Sequence, residues 1–155
     1  MSQIRIRQAS PADVPDITEV HFGAFGPNVM NILMNPGGPT AEAKTKFGET
    51  LFPAPGDTKP GAEVQIFVAE LHPEPGQVGD PKIIAFAKWL IYRNERPEEQ
   101  WNVEVKDMTT EMLGEGSNAE AFNWFIGGLH KTAKPLIKGE ANACKWPVSC
   151  FIVGH

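Results

Sequence analysis

Two apolar runs near the middle of the chain, VQIFVAEL (Val64–Leu71) and IIAFAKWLIY (Ile83–Tyr92), limit the fold more than any other feature. Their β-branched and aromatic content marks both as strands. The stretch between them, His72–Lys82, is rich in Pro and Gly and reads as a turn-rich loop. Two strands joined this way pair antiparallel, as a hairpin with an extended connection. Ile83–Tyr92 is the stronger of the two, and an open edge beside it invites a further strand. PVSCFIV (Pro147–Val153) is the run available to fill that place.

The segments before the hairpin alternate between strand and helix. Ile4-Arg5-Ile6-Arg7 alternates apolar and polar residues, the pattern of a strand with one buried face. Ser10-Pro11-Ala12-Asp13 then predicts a helix start, with Ser10 as cap, Pro11 in the first turn and Asp13 at the positive end of the dipole. Val14, Ile17, Val20, Ala24 and Phe25 form an apolar stripe up to the stop at Gly26-Pro27. A short helix is expected over Asn28–Met34. A third runs from about Pro39 to Leu51 and buries Ala43, Phe47 and Leu51.

After the hairpin, Arg93–Val105 reads as a loop and Asp107–Leu113 as a short helix. Ser117-Asn118-Ala119-Glu120 has the spacing of a capping box. It opens a helix whose core face is Phe122, Phe125, Ile126 and Leu129, and which should end before Pro135.

With 155 residues the chain has the length of one domain. Its 15 Gly and 14 Pro crowd into Pro36–Pro39, Pro53–Gly61 and Pro73–Pro81, which makes those stretches loops and leaves the rest free to fold. The net charge of -5 and the lack of a basic stretch argue against a nucleic-acid partner. No run is long and apolar enough to span a bilayer and the N-terminus lacks a signal pattern, so the expected location is the cytoplasm or the nucleus, with no membrane partner. Cys144 and Cys150 lack the flanking His and Asp of a metal site. A cysteine hydrolase would have only the terminal His155 as a base near them.

The opening IRIRQASPADVPDITEVHFGAF resembles the start of fungal and bacterial GNAT N-acetyltransferases. VQIFVAELHP and KIIAFAKWLIYR resemble that family's second and third strands. AFNWFIGGLHKTAKPLIKG resembles the helix before the acetyl-CoA strand in a fungal subgroup. The resemblance runs from Ile4 to Gly139, and residues 140–155 diverge. It implies one α/β domain over 1–155, with a GNAT-like, mainly antiparallel mixed sheet flanked by helices and incomplete at its C-terminal side. The implied activity is transfer of acetyl from acetyl-CoA to a primary amine on a small molecule or a protein.

In that family the pyrophosphate of the cofactor rests in a Q/R-x-x-G-x-G/A loop, where glycine lets several backbone N–H groups approach the anion. The motif does not occur here. Gly37-Gly38 reads as a turn, Gly114-Glu115-Gly116 as a break between helices and Gly127-Gly128 as close packing within a helix. Impaired acetyl-CoA binding is therefore expected, as in a truncated or divergent member. The alternative is a non-catalytic remnant that dimerises through its open sheet edge or binds a ligand or protein.

By the resemblance, Glu70 and Glu104 are the candidate bases for the amine proton, and the backbone of Ala87, Lys88 and Trp89 would face the acyl group. His21, Phe25, Met30 and Trp101 would line the acceptor side, with Trp124 and Phe125 as further aromatic candidates. Each has a plainer reading as a solvated strand-end carboxylate or a core side chain.

Overall fold

The computed structural model describes residues 3–25, 28–54, 56–58, 61–74, 76, 78–101, 106–137, 142–143 and 150–151. Strand β1 (Gln3–Gln8) leads through a 3₁₀ turn (Pro11–Asp13) into α1 (Val14–Phe25), α2 (Val29–Met34) and α3 (Ala41–Leu51). The long strands β2 (Ala62–His72) and β3 (Lys82–Tyr92) follow, then α4 (Glu98–Trp101), α5 (Thr110–Leu113) and α6 (Ala119–Ile137). Two-residue strands β4 (Asn142–Ala143) and β5 (Cys150–Phe151) come last. The fold is mixed α/β.

The expected hairpin forms: β2 and β3 pair antiparallel from Ala62↔Tyr92 to Leu71↔Lys82. A bulge shifts the register between Ala69, opposite Ala85, and Glu70, opposite Ile83. Such a bulge leaves an extra residue on one strand and bends it. β1 pairs antiparallel with the other edge of β2, which sets Ile4 opposite Leu71 and Arg7 opposite Val68. The far edge of β3 takes both short strands, Ala143 opposite Ile91 and Cys150 opposite Ala87. Only Cys150–Phe151 of the strand expected over Pro147–Val153 falls among the described residues, and it lies where an open edge should recruit it.

One face of this sheet builds the core. Ile66 and Val68 of β2 and Ile83 and Phe86 of β3 pack with Ile17 of α1 and Leu51 of α3. Val14, Val20 and Phe47 close around them, so the stripe of α1 and the apolar face of α3 do what their spacing predicts. Burying one such side chain stabilises the fold by roughly 1.5–3 kcal/mol.

Helix ends follow local chemistry, with some departures from expectation. Thr40 Oγ1 accepts the Ala43 N–H at 3.1 Å and caps α3. α6 is capped by Asn118, whose Oδ1 accepts the Ala121 N–H at 3.1 Å. Ser117 is not the cap: its hydroxyl lies 3.3 Å from Asn35 Oδ1 and 3.3 Å from the Leu113 carbonyl. Asn competes as well as Ser for a cap, so the Ser-x-x-Glu spacing misplaced the start by one residue. α6 also runs through Pro135 to Ile137. Proline removes one hydrogen bond from the last turn, and the helix tolerates that so close to its end. The loop expected over Arg93–Val105 contains the single turn α4, which Pro97 and the first-turn acids Glu98 and Glu99 favour.

Candidate functional site

The chemistry-bearing side chains gather in two clusters on the core face of the sheet. The first is ionic. Arg7 on β1 reaches Asp13 through a fork of two hydrogen bonds, Nη1 to Oδ2 and Nη2 to Oδ1, both 2.8 Å. Its Nε donates to Glu70 Oε1 at 2.7 Å. Asp13 Oδ2 also accepts the backbone N–H of Ser10 at 2.7 Å and its hydroxyl at 3.0 Å. His72 Nε2 stands 3.5 Å from Glu70 Oε2.

The hydrogen bond from Arg7 holds the Asp13 carboxyl well below the usual carboxylate range, against the opposing pull of burial. The same guanidinium lowers Glu70, and the two acids together raise Arg7. A carboxylate held ionised in this way is a weak proton acceptor. Glu70 is thus placed first as an ionic anchor between β1, β2 and the turn that opens α1.

Replacing Arg7 with Met should destabilise the protein by about 2 kcal/mol, less than the 3–5 kcal/mol of a fully buried pair because part of the guanidinium meets solvent. Both acids have lowered values in the folded state, so their contribution is present above the unfolded carboxylate range, near pH 4, and is lost below it as pH falls through the lowered folded values. Arg7→Met should therefore also flatten the stability profile below about pH 4, as read by thermal melts at a series of acid pH values. A variant that melts like the parent at neutral pH and keeps the full acid slope would count against the anchor.

The second cluster is aromatic. His21 of α1 stacks on Phe47 of α3, with ring centroids 4.0 Å apart and planes 14° from parallel. Phe22 meets the imidazole edge-on at 4.9 Å, and Phe25 and Phe86 lie at 5.1 and 6.3 Å. Burial lowers the His21 value from 6.5 to about 4, so the ring is neutral at physiological pH. Two residues beyond Phe86 on the same strand face, the ammonium of Lys88 donates to the Thr50 carbonyl near the end of α3. Burial lowers the proton affinity of Lys88, while the helix C-terminus suits its positive charge.

Of the residues singled out in the sequence, the structure brings His21 and Phe25 together, with Lys88 on the strand beneath. Ala87 lies between Phe67 of β2 and Cys150 of β5, Lys88 opposite Ile66, and Trp89 opposite Gln65. Glu70 belongs to the ionic cluster. Met30 is half-buried in α2. Trp101 ends α4, and Glu104, Cys144 and His155 lie outside the described residues.

Sequence reasoning missed Arg7, Phe22 and Phe47 as members of these clusters. The only signals were the alternation around Arg7 and the apolar spacing of α3, neither of which names a partner.

Two further expectations fail. Trp124 is 74% exposed on α6, not packed or lining an enclosed pocket. Gly127 and Gly128 have no atom near the position of an added Cβ, so they are not there for close packing. With Trp124, Phe125 and Leu129 they border a shallow hollow of ≈ 370 Å³. Among the described residues there is no group of three or more metal-ligating side chains and no helix long and apolar enough to cross a membrane.

Comparison with protein-family models, curated proteins and solved structures gives no match.

Proposed function

We propose that this chain is a GNAT-like N-acetyltransferase domain that presents an amine acceptor to acetyl-CoA. The observation that supports this reading best is the order β1–α1–α2–α3–β2–β3, with an antiparallel β1–β2–β3 sheet and α1 packed on it. That is the order in which the resembling motifs occur. On this reading the acyl group lies against the backbone of Ala87, Lys88 and Trp89, and the acceptor approaches past α1 and α2, by His21, Phe25 and Met30. The amine nitrogen attacks the thioester carbonyl, the carbon–sulfur bond breaks and CoA leaves as the thiolate. The lowered proton affinities of Glu70 and His21 favour water as the carrier of the amine proton.

Those same lowered affinities favour a second reading, a non-catalytic module that binds an acceptor. Calorimetric titration with acetyl-CoA, with CoA and a desulfo analogue as controls, separates the two. Saturable binding near micromolar, about 8 kcal/mol, is expected for the enzyme. No heat up to millimolar ligand removes the acetyltransferase reading and leaves the module.

A further inference from the structure

The outer face of α6 carries Glu120, Trp124, Gly128 and Lys131, all of them exposed, with Trp124 at 74%. Phe122, Phe125 and Ile126 of the same helix are half-buried. Asn123 ties the flank of the helix to Met108 through hydrogen bonds of 2.8 and 2.9 Å. One turn after the indole, Gly127 and Gly128 leave open space where a Cβ would stand. The ring does not stand alone, because it borders the hollow of ≈ 370 Å³ together with those glycines. Tryptophan buries more apolar area than most side chains and anchors interfaces out of proportion to its frequency.

We propose that α6 pairs antiparallel with α6 of a second copy of the chain, about a two-fold axis that passes between Gly127 and Gly128. The residues on the outer face are set symmetrically about that point. At about 100° per residue, Trp124 and Lys131 each lie within about 10° of the line that bisects the two glycines, about 5 Å before it and about 5 Å after it. The two-fold rotation therefore brings each Trp124 level with Lys131 of the other copy, where the ammonium can rest over the indole face. With no side chain on either glycine, the two backbones can meet at or below the low end of the usual interaxial distance of about 8–10 Å.

Charge selects the same arrangement. Glu120 lies one turn before Trp124 on this face, and Lys131 lies two turns after it. Antiparallel pairing runs the acidic end of each helix toward the basic end of the other, whereas parallel pairing would set like charges together. The helix dipoles also oppose one another in the antiparallel pair. A two-fold contact uses one patch twice, so a face whose aromatic and cation exchange places about a single point suits a second copy of itself. A lipid surface is a poorer match, since Glu120 shares the face with the indole.

Sedimentation velocity on the full chain, from about 1 to 200 μM, tests this. The expected result is a concentration-dependent passage from monomer to dimer, with no larger species. Gly128→Leu fills the seam and should weaken the dimer by roughly tenfold or more. The same change should raise the melting temperature of the dilute monomer, because leucine forms helix better than glycine and the space around it is open. Lys131→Glu should also weaken association, and Lys131→Arg should preserve it, since a guanidinium stacks on an indole. Val29→Glu, at a position of α2 that is 68% exposed, should leave association intact.

A monomer throughout the range overturns the proposal and leaves the face to a partner of another sequence. Dimerisation that neither Gly128→Leu nor Lys131→Glu weakens overturns it as well. Growth beyond the dimer does the same, because a two-fold contact closes on itself. None of these outcomes depends on acetyl-CoA binding, so the dimer and the acetyltransferase reading fail separately.

Discussion

Gly114→Ala should cost about 4 kcal/mol and lower the melting temperature by about 10 °C, because two independent penalties fall on one added methyl group. Gly114 ends α5 with φ 97° and ψ 152°, a backbone region that is essentially closed to residues with a side chain. Its N–H donates to the Thr110 carbonyl at 2.8 Å, so the turn cannot relax without losing that bond. The Cβ itself would stand 2.8 Å from the Ala43 nitrogen and 2.9 Å from the Ala43 Cα, and backbone inside a helix cannot step aside.

The contact is where the turn after α5 docks on the first turn of α3. There Thr40 Oγ1 donates to the Glu115 carbonyl at 2.9 Å, and the Glu115 N–H donates to Glu42 Oε2 at 3.0 Å. Two other glycines provide the controls. Gly116→Ala, at φ +82° with the Thr40 Cγ2 methyl 3.1 Å away and no backbone in the way, should cost about 1–2 kcal/mol. Gly127→Ala, in open space within α6, should stabilise by about 0.5–1 kcal/mol. A Gly114→Ala variant that melts within a couple of degrees of its parent would mean that the α5–α3 junction is looser than its contacts indicate.

That junction also marks how far the sequence can be read. The β2–β3 hairpin, the stripe of α1 and the buried face of α3 were all legible, because each follows from a period of two or of 3.6 in apolar residues. The break at Gly114-Glu115-Gly116 was legible as a break, but not as a docking point, since nothing in the run names Ala43 as its neighbour. The ionic cluster was hidden for a related reason. Arg7 meets Glu70 only because β1 lies on β2 in one register, and a short alternating strand does not reveal its register.

Asp13 was visible as a first-turn acid, and its role as a ligand of Arg7 was not. α6 misled in the other direction. Phe122, Phe125 and Ile126 of its expected core face are only half-buried and Leu129 is 38% exposed, because apolar periodicity identifies a face without showing what covers it. Of the candidate site, His21 beside Phe25 came from helical spacing. Its stacking partner Phe47 needed α3 folded against α1.

Burial in the same aromatic cluster makes His21 a source of pH sensitivity between neutral and mildly acid conditions. In the unfolded chain the imidazole titrates near 6.5, and in the folded chain at about 4. Between those values the unfolded state binds more protons, so acidification favours unfolding. The contribution of the neutral, buried ring is complete above pH 6.5. It is lost progressively as pH falls through that window, up to a total of about 3 kcal/mol near pH 4.

The carboxylates around Arg7 act lower, below the unfolded carboxylate range, so the two effects separate on the pH axis. Denaturant melts of the parent at pH 7, 6, 5 and 4.5 should show stability falling steadily, each unit below 6.5 costing about 1.4 kcal/mol. His21→Phe replaces the ring with one that can keep the stack on Phe47 and the edge contact with Phe22, and it has nothing to protonate. Its profile should be flat over the same range, with stability at pH 7 within about 1.5 kcal/mol of the parent for a swap of similar volume. A slope unchanged in His21→Phe would assign the acid sensitivity to another group. A parent with no slope above pH 4.5 would mean that the imidazole reaches water more freely than its packing between Phe47, Phe22 and Phe25 indicates.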